Sequence, residues 1–482
     1  MTRLEKELLA PNEKLQEQLE KALLRIQILE RENAELRALV AELEEKLNTN
    51  SSNSSKPPSS DGPSAKVKKR KRKKKPKKKR KRGAQRGHEG KSRDLLPVEQ
   101  VDELVDCKPE GRCDCGGRLQ LDEKNPLRQQ ILELPELALF VSEYRVYSGV
   151  CAECGRVHRG SLPEGVSEGM LGPRASAAIG MLSGKYRLSK RSVQELLCDL
   201  FGLELCLGTV SNSEARVSEA LSGPYEEAGD YVRQREVVHA DETSHKVAGR
   251  LSWMWVAVTS LVSVFMIRKS RGKQSARELL GEEFGGYLVS DRWSGYNWLP
   301  PEQRQLCWAH LVRDFKKIAE RGGSSGEIGN ALLEYAQKMF HLWHRFCDGK
   351  LSHLELELRL APVRREVERI LGEGCSCGHA KTERTCRNLL ELRDSLWKFV
   401  EVPGVEPTNN VAERTIRPYV LWRKSSFGTQ SERGNRFVER MMTASATCKQ
   451  QGRNLLDYLT DALAAVMHNR PPPSLLPESS LA

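Results

Sequence analysis

Between residues 15 and 47 apolar side chains recur with a seven-residue period. Leu19, Ile26, Val40 and Leu47 share one core position with Asn33, and Leu15, Ala22, Leu29, Leu36 and Leu43 share the other. This heptad pattern predicts a coiled coil. With the first set as a, Arg25 faces Glu30 and Glu32 faces Arg37 of a parallel partner. A lone Asn33 in the apolar row is best satisfied by its own copy, which predicts a parallel, in-register homodimer; the bland alternative is one amphipathic helix packed on its own body. Residues 172 to about 228 are patterned as helices. Leu188-Ser189-Lys190-Arg191-Ser192 followed by Gln194-Glu195-Leu196-Leu197 reads as a capped helix start, and Thr209 or Ser211 as the cap of a second helix after the break at Gly202. That pair predicts a helix-turn-helix-like DNA contact through Lys190 and Arg191, or else a plain helical connector. Further on, Val237–Thr243, Trp253–Thr259 and Val262–Arg268 read as a three-strand meander, Ser275–Leu280 as a helix and Tyr287–Asp291 as another apolar strand. Residues 301 to about 400 are long, helical and charged, like an insertion. Asn409 then opens a helix that carries Glu413 in its first turn.

Composition changes this picture at one place. The chain has 482 residues and a formal charge of +13, but Lys66 to Arg82 alone carries 15 Lys and Arg with no acid, so the remainder is slightly negative. Attraction to a polyanion is therefore concentrated in one arm inside a Ser-, Asn- and Pro-rich tether, where it favours DNA attachment over a merely solubilising tail. Thirteen cysteines, no apolar leader and no run of about 20 apolar residues predict an intracellular protein, cytoplasmic and nucleoid-associated, with no membrane partner. In that compartment cysteine pairs read as metal ligands. Cys113-x-Cys115 and Cys151-x-x-Cys154, each followed by Gly and separated by strand-like pieces such as Phe140–Tyr147, offer four thiolates to Zn2+, with Cys107 as a substitute ligand and ordinary cysteines as the alternative. Cys375, Cys377, His379 and Cys386 form a second, irregularly spaced set.

The chemistry lies in acids at the ends of apolar segments. Asp241 and Asp291 close two strands that can lie side by side, and Glu413 supplies a third carboxylate. Three such groups suit two Mg2+ or Mn2+ ions, which activate the attacking oxygen and stabilise the leaving oxygen of an in-line phosphoryl displacement. Arg414, Arg417, Arg423 and Lys424 follow on the same helix as candidate phosphate contacts. Glu242 is a rival ligand, and His239 and His310 lie in the same segments in positions that structural histidines often occupy.

At these residues the sequence resembles the insertion-sequence 66 family of bacterial DDE transposases. The resemblance runs in order through the leading coiled coil, the stretch Asn50 to Asp61, Gly83-Ala84-Gln85-Arg86-Gly87-His88 and the paired cysteines. It continues through His239-Ala240-Asp241-Glu242-Thr243, Ser290-Asp291 with Gly295-Tyr296, and Cys307-Trp308-Ala309-His310-Leu311-Val312-Arg313-Asp314-Phe315. Asn409-Asn410-Val411-Ala412-Glu413-Arg414 and Arg423-Lys424-Ser425-Ser426-Phe427-Gly428 complete it. It implies an RNase H-like catalytic domain interrupted by a helical insertion, Asp241, Asp291 and Glu413 as the metal-binding triad, an element end as substrate, and zinc in the paired-cysteine region. The single spacer in Cys113-x-Cys115 departs from the family's usual two.

The expected architecture is multidomain α/β. It comprises a coiled coil (1–48), a basic linker (49–100), a zinc-binding domain (101–165), a helical DNA-binding region (166–235), a catalytic core in two parts (236–300 and 406–470) around an insertion (301–405), and a tail (471–482). The expected activity is metal-dependent cleavage at element ends and strand transfer into target DNA. A non-catalytic dimeric DNA-binding protein and a nuclease or resolvase are the competing readings; accessory proteins, the terminal repeats and the target preference stay open.

Overall fold

A computed structural model of the chain describes residues 94–477 except 110, 114, 120–126 and 167–168, together with 25–27, 29–33, 36–37 and 40. The basic tract Lys66–Arg82 and most of the predicted coiled coil lie outside the described residues. Those described between 25 and 40 are helical, with Ile26, Leu29, Leu36 and Val40 exposed.

The paired-cysteine region forms less sheet than its pattern suggests. Phe140–Tyr147 does not form a strand: Phe140 is 97% exposed, and the hairpin reaches the stretch at its last residue, where the Tyr147 carbonyl accepts from the Gly160 N–H at 2.9 Å. Pairing begins one residue later, where β1 (Ser148–Val150) meets β2 (Val157–Arg159) in an antiparallel hairpin. Its turn holds Cys151 and Cys154, and closes with Gly155 donating to the Cys151 carbonyl at 2.9 Å from a left-handed φ of +71°.

Helices α1 (Pro173–Gly184), α2 (Lys190–Phe201) and α3 (Leu207–Ala220) surround a small core of Leu171, Ile179, Val193, Leu197 and Val210. The capped start expected within Leu188–Ser192 is made by Ser189, which accepts from the Ser192 N–H at 3.1 Å, and Gly202 ends α2 at φ +64°. The cap of α3 is neither Thr209 nor Ser211. It is Cys206, whose sulfur accepts from the Thr209 N–H, so the helix starts earlier than hydroxyl capping preferences suggest. With α4 (Ser222–Arg233), α1 and α3 also contribute Ala177, Val217, Ala220, Ala228 and Val232 to the main core.

That core is built on a five-stranded mixed sheet. Strands β3 (Val237–Val247), β4 (Arg250–Val258) and β5 (Ser263–Arg268) form the predicted meander. After α5 (Lys273–Leu280), β6 (Tyr287–Ser290) joins β3 in parallel and β7 (Arg304–Leu306) joins β6 in parallel, giving the order β5-β4-β3-β6-β7. Strand β7 escapes a hydrophobic reading because it is polar yet buried: Gln305 accepts from the Phe399 N–H at 2.9 Å and donates to the Leu396 carbonyl at 3.2 Å.

The insertion begins only after β7. Helices α6 (Trp308–Ala319), α7 (Gly323–Cys347), α8 (His353–Gly374) and α9 (Ala380–Glu391) pack around Leu311, Phe315, Leu332, Leu356, Val367 and Leu389, in a cluster that includes Val289 and Leu306 from the sheet. The chain then returns as α10 (Asn410–Ser426), α11 (Glu432–Gln450) and α12 (Leu455–Met467).

Helix α11 solves the edge-strand problem of β5. Its residues 439, 443 and 447 lie one turn apart, and they accept from alternate N–H groups of β5: Ile267 to Glu439 at 2.5 Å, Phe265 to Thr443 at 3.0 Å, Ser263 to Thr447 at 3.1 Å. Burial raises the Glu439 carboxyl to about 7. A raised folded pKa means the folded state holds the proton more tightly, so this group's contribution falls as pH climbs from 4.5 towards 7, by about 1.4 kcal/mol for each pH unit crossed. Glu439→Gln keeps the acceptor and removes the charge. It is expected to raise the melting temperature at pH 7.5 and flatten the stability profile between pH 4.5 and 7; an unchanged slope by thermal denaturation would refute this.

Candidate active site

Strand β3 runs through the centre of the sheet, and its period-two alternation divides its side chains between two faces. His239, Thr243 and His245 all reach α10 or the loop after it: His239 Nδ1 lies 3.3 Å from Asn409 Oδ1, Thr243 Oγ1 accepts from Arg423 at 3.0 Å, and His245 hydrogen-bonds Tyr419 and Thr429. Asp241 has the same parity and shares that face. Glu242 has the opposite parity and is buried on the other side, where Arg271 grips one oxygen at 2.9 and 2.6 Å and the Tyr296 hydroxyl donates to the other at 2.7 Å. Both Glu242 oxygens are thus engaged inside the protein. Arg271 in turn lies over the rings of Trp253 and Trp293, 4.9 and 3.9 Å from their centroids.

Asp291 follows β6 directly. In the parallel register His239 is opposite Val289, so two further residues bring Asp291 level with Asp241. Asp291 Oδ1 accepts from the Trp293 N–H at 2.9 Å, and Asp241 Oδ1 accepts from the Glu242 N–H at 2.9 Å.

Glu413 sits in the first turn of α10, and Asn409 at the cap position fixes that end of the helix. Its side chain makes no capping bond; instead Nδ2 donates to the Ala240 carbonyl at 2.7 Å, and its backbone N–H donates to Cys307 Sγ at 3.1 Å. One buried side chain therefore ties the Glu413 helix to the Asp241 strand. Farther along, Arg423 donates to Thr243 Oγ1 and to the Ser244 carbonyl and hydroxyl.

The electrostatics report the convergence. Burial pushes the Asp241 carboxyl well up, and the negative charges of Glu242, Asp291 and Glu413 push it further. The charges of residues 291 and 413 are thus felt at residue 241, although among the described residues the ligand atoms of Asp241, Asp291 and Glu413 do not all gather within 4.8 Å of one another. Glu413 Oε1 is itself buried with no hydrogen-bond donor, 3.5 Å from His310 Nδ1 and from Arg313 Nη2. Uncompensated carboxylate charge and an orphaned carboxylate oxygen fit a divalent cation held by oxygen ligands. His239 and His310 are both lowered, first by burial, His239 to about 4 and His310 further by Arg313, so both are neutral imidazoles at pH 7.

Residue types alone undervalue several members of this constellation. Cys307, His310 and Arg313 reach Glu413 from α6, across the whole insertion, and only the one-turn spacing of Cys307, His310 and Arg313 hints at a shared face. Conversely, two predicted DNA contacts have internal partners. Lys190 pairs with Glu214 at 2.9 Å and donates to Ser211 at 2.6 Å, and Arg423 faces β3. Arg191, Arg414, Arg417 and Lys424 are exposed.

The structure brings the cysteines of each predicted zinc pair together. In Cys151-x-x-Cys154 the N–H groups of Cys154 and Glu153 lower the Cys151 thiol, and the Gly117 N–H with the Cys113 thiol lowers Cys115. Both turns therefore stabilise thiolate. Cys113, Cys115, Cys151 and Cys154 do not converge on one point: among the described residues, the His, Cys, Asp and Glu ligand atoms gathered within 4.8 Å of one another belong to Cys307, His310 and Glu413. Nor does the set Cys375, Cys377, His379 and Cys386 gather at that distance.

Among the described residues no helix is long and apolar enough to cross a membrane. Comparison with known proteins adds the family. The profile of the transposase IS66 family matches residues 168–436, and that of a family of unknown function, DUF6444, matches residues 3–94. Among related sequences, the uncharacterized protein y4qI of Sinorhizobium fredii is 29% identical over 281 residues, which is half of each chain. The uncharacterized protein y4hP of the same organism is 23% identical over 413 residues, 76% of this chain and 72% of its own length. The profile match covers every residue of the carboxylate constellation and more than half of the sequence, and on that ground the chain belongs to the IS66 family of transposases.

Proposed function

We propose that this protein is a DDE transposase that cuts DNA at element ends and joins those ends to target DNA, with Asp241, Asp291 and Glu413 as its catalytic carboxylates. The observation that carries the proposal is geometric: Asp241 on β3 and Asp291 just after β6 stand level across a parallel register, and the buried Asn409 side chain ties the start of the Glu413 helix to the Ala240 carbonyl beside Asp241. The sheet order β5-β4-β3-β6-β7, with three antiparallel strands followed by two parallel ones, supports an RNase H-like reading of the catalytic core.

Two Mg2+ or Mn2+ ions, when bound, would activate the attacking oxygen and stabilise the leaving one. The chain's own residues do the rest. Asp241 and Asp291 hold their carboxylates on adjacent strands, where backbone N–H groups of Glu242 and Trp293 fix one oxygen of each. Glu413 closes the set from α10, held in place through Asn409 and Arg423. Arg414, Arg417 and Lys424 on the exposed side of α10 are proposed phosphate contacts, and α2 with Arg191 a proposed DNA contact of the helix-turn-helix kind. Lys190, with partners of its own, serves α2–α3 packing in this reading. Upstream, the exposed apolar positions Ile26, Leu29, Leu36 and Val40 support a coiled-coil homodimer that holds two ends together, the basic arm delivers DNA, and the cysteine pairs are proposed to take Zn2+. The proposed domains keep the boundaries expected from the sequence.

A nuclease or resolvase would share the site and differ in products. Purified protein incubated with Mg2+, labelled element-end DNA and a target plasmid is expected to yield joined molecules that do not form when EDTA is present from the start. Cut DNA without joined product would replace the transposase reading by the nuclease one.

A further inference from the structure

We infer that Cys307, His310 and Glu413 form a site for a thiophilic divalent cation of the zinc class, distinct from the carboxylate site and competing with it for Glu413. The inference rests on the proposed role of Glu413 for its consequence, though not for its geometry. The three ligand atoms lie within 4.8 Å of one another. His310 Nδ1 and Glu413 Oε1 stand 3.5 Å apart, both buried and neither hydrogen-bonded. Two orphaned polar atoms facing each other across a gap are costly unless something between them satisfies both. Zinc bonds of about 2.0–2.3 Å in a tetrahedron separate neighbouring ligand atoms by roughly 3.3–3.6 Å, which is the separation found for this pair.

The donor set decides which ion. A thiol, an imidazole and one carboxylate oxygen are poor company for Mg2+, which prefers oxygen, and good company for zinc or cobalt. Cys307 and His310 are three residues apart at the start of α6, so both project from the same side of one turn. Cys307 occupies the cap position of α6, and its buried sulfur already accepts the Asn409 N–H at 3.1 Å; burial raises its thiol, so the proton leaves only as the cation binds. Arg313 Nη2, 3.5 Å from the same Glu413 oxygen, competes for the carboxylate. That competition limits affinity, as suits an ion that comes and goes, and the fourth position is left to water. A carboxylate committed to zinc is withdrawn from Asp241 and Asp291, so the site would act as a brake on the reaction.

Cobalt(II) titration of the full-length protein tests this, in a background where Cys107, Cys113, Cys115, Cys151, Cys154, Cys375 and Cys377 are Ser, with the signal read as the difference that Cys307 makes. A near-ultraviolet thiolate-to-cobalt band is expected, lost in Cys307→Ser and weakened on the order of 10–100-fold in apparent affinity in His310→Gln and Glu413→Gln. Circular dichroism identifies any variant that fails to fold, and the two remaining substitutions then carry the test. A band of equal strength with and without Cys307, or no band at all, overturns the inference. The reading is independent of catalysis: a cobalt band in a protein that never joins DNA would leave this site standing and remove the transposase proposal. In a protein that does join DNA, zinc added to the Mg2+ reaction should suppress joining; undiminished joining with the cobalt site filled would overturn the competition for Glu413.

Discussion

Asp241→Asn is expected to reduce metal-dependent cleavage and joining by on the order of 10³-fold or more, while raising the melting temperature of the metal-free protein. Opposite signs follow from one cause. The Asp241 side chain is half-buried, and burial first, then the negative charges of Glu242, Asp291 and Glu413, raise its carboxyl well above the ordinary value of 3.8. A raised acid favours the folded state only while protonated, so its charge destabilises the metal-free fold progressively as pH rises above that value. A divalent ion would reverse the cost by binding the folded state alone. Asparagine keeps the acceptor for the Glu242 N–H, removes the charge, and removes the ligand. Thermal denaturation at pH 7.5 with and without Mn2+ checks this: the wild type should gain stability from Mn2+ and the variant should gain little. Equal stabilisation of both would separate Asp241 from the ion.

Asn409→Ala is expected to cost about 2–3 kcal/mol and to impair catalysis by displacing Glu413. Asn409 is 1% exposed, and its amide is the partner of the Ala240 carbonyl and of His239. Truncation leaves the His239 nitrogen unpaired, weakens the satisfaction of the Ala240 carbonyl, and unties the start of α10 from β3. The loss should appear in urea denaturation and in a higher Mg2+ concentration for half-maximal joining. Arg414→Ala makes the contrast: Arg414 is exposed, so the substitution should leave stability within about 0.5 kcal/mol and weaken DNA binding instead. A stable Asn409→Ala protein with unchanged metal dependence would show that the cap residue does not position the site.

Much of this arrangement is legible in the chain. The meander, α5 and β6 follow from apolar runs of the right length, and Asp241 and Asp291 stand out because each closes or follows such a run. The sequence leaves Glu242 as a rival to Asp241; only the folded strand separates their surroundings, sending one towards His239 and His245 and the other towards Arg271. Local pattern fails where burial is polar. Strand β7 is Arg-Gln-Leu, its Gln305 satisfied by hydrogen bonds to residues 94 and 91 positions away, and no periodicity carries that information. Phe140–Tyr147 errs in the other direction, since an apolar alternation that meets the hairpin only at Tyr147 makes no strand. Lys190 and Arg423 look like phosphate contacts in sequence because a basic residue carries no mark of the acid, carbonyl or hydroxyl it will meet. His310 is undervalued for the same reason: its relation to Glu413 exists only after about 100 residues of insertion have folded back.

The most direct test of the site is diffraction at the manganese edge from a crystal of the protein with Mn2+ and element-end DNA. Anomalous peaks are expected between the carboxylates of Asp241, Asp291 and Glu413, at the DNA phosphate to be cut. Peaks elsewhere, or Glu242 in place of Asp241 among the ligands, would contradict the assignment of these three acids.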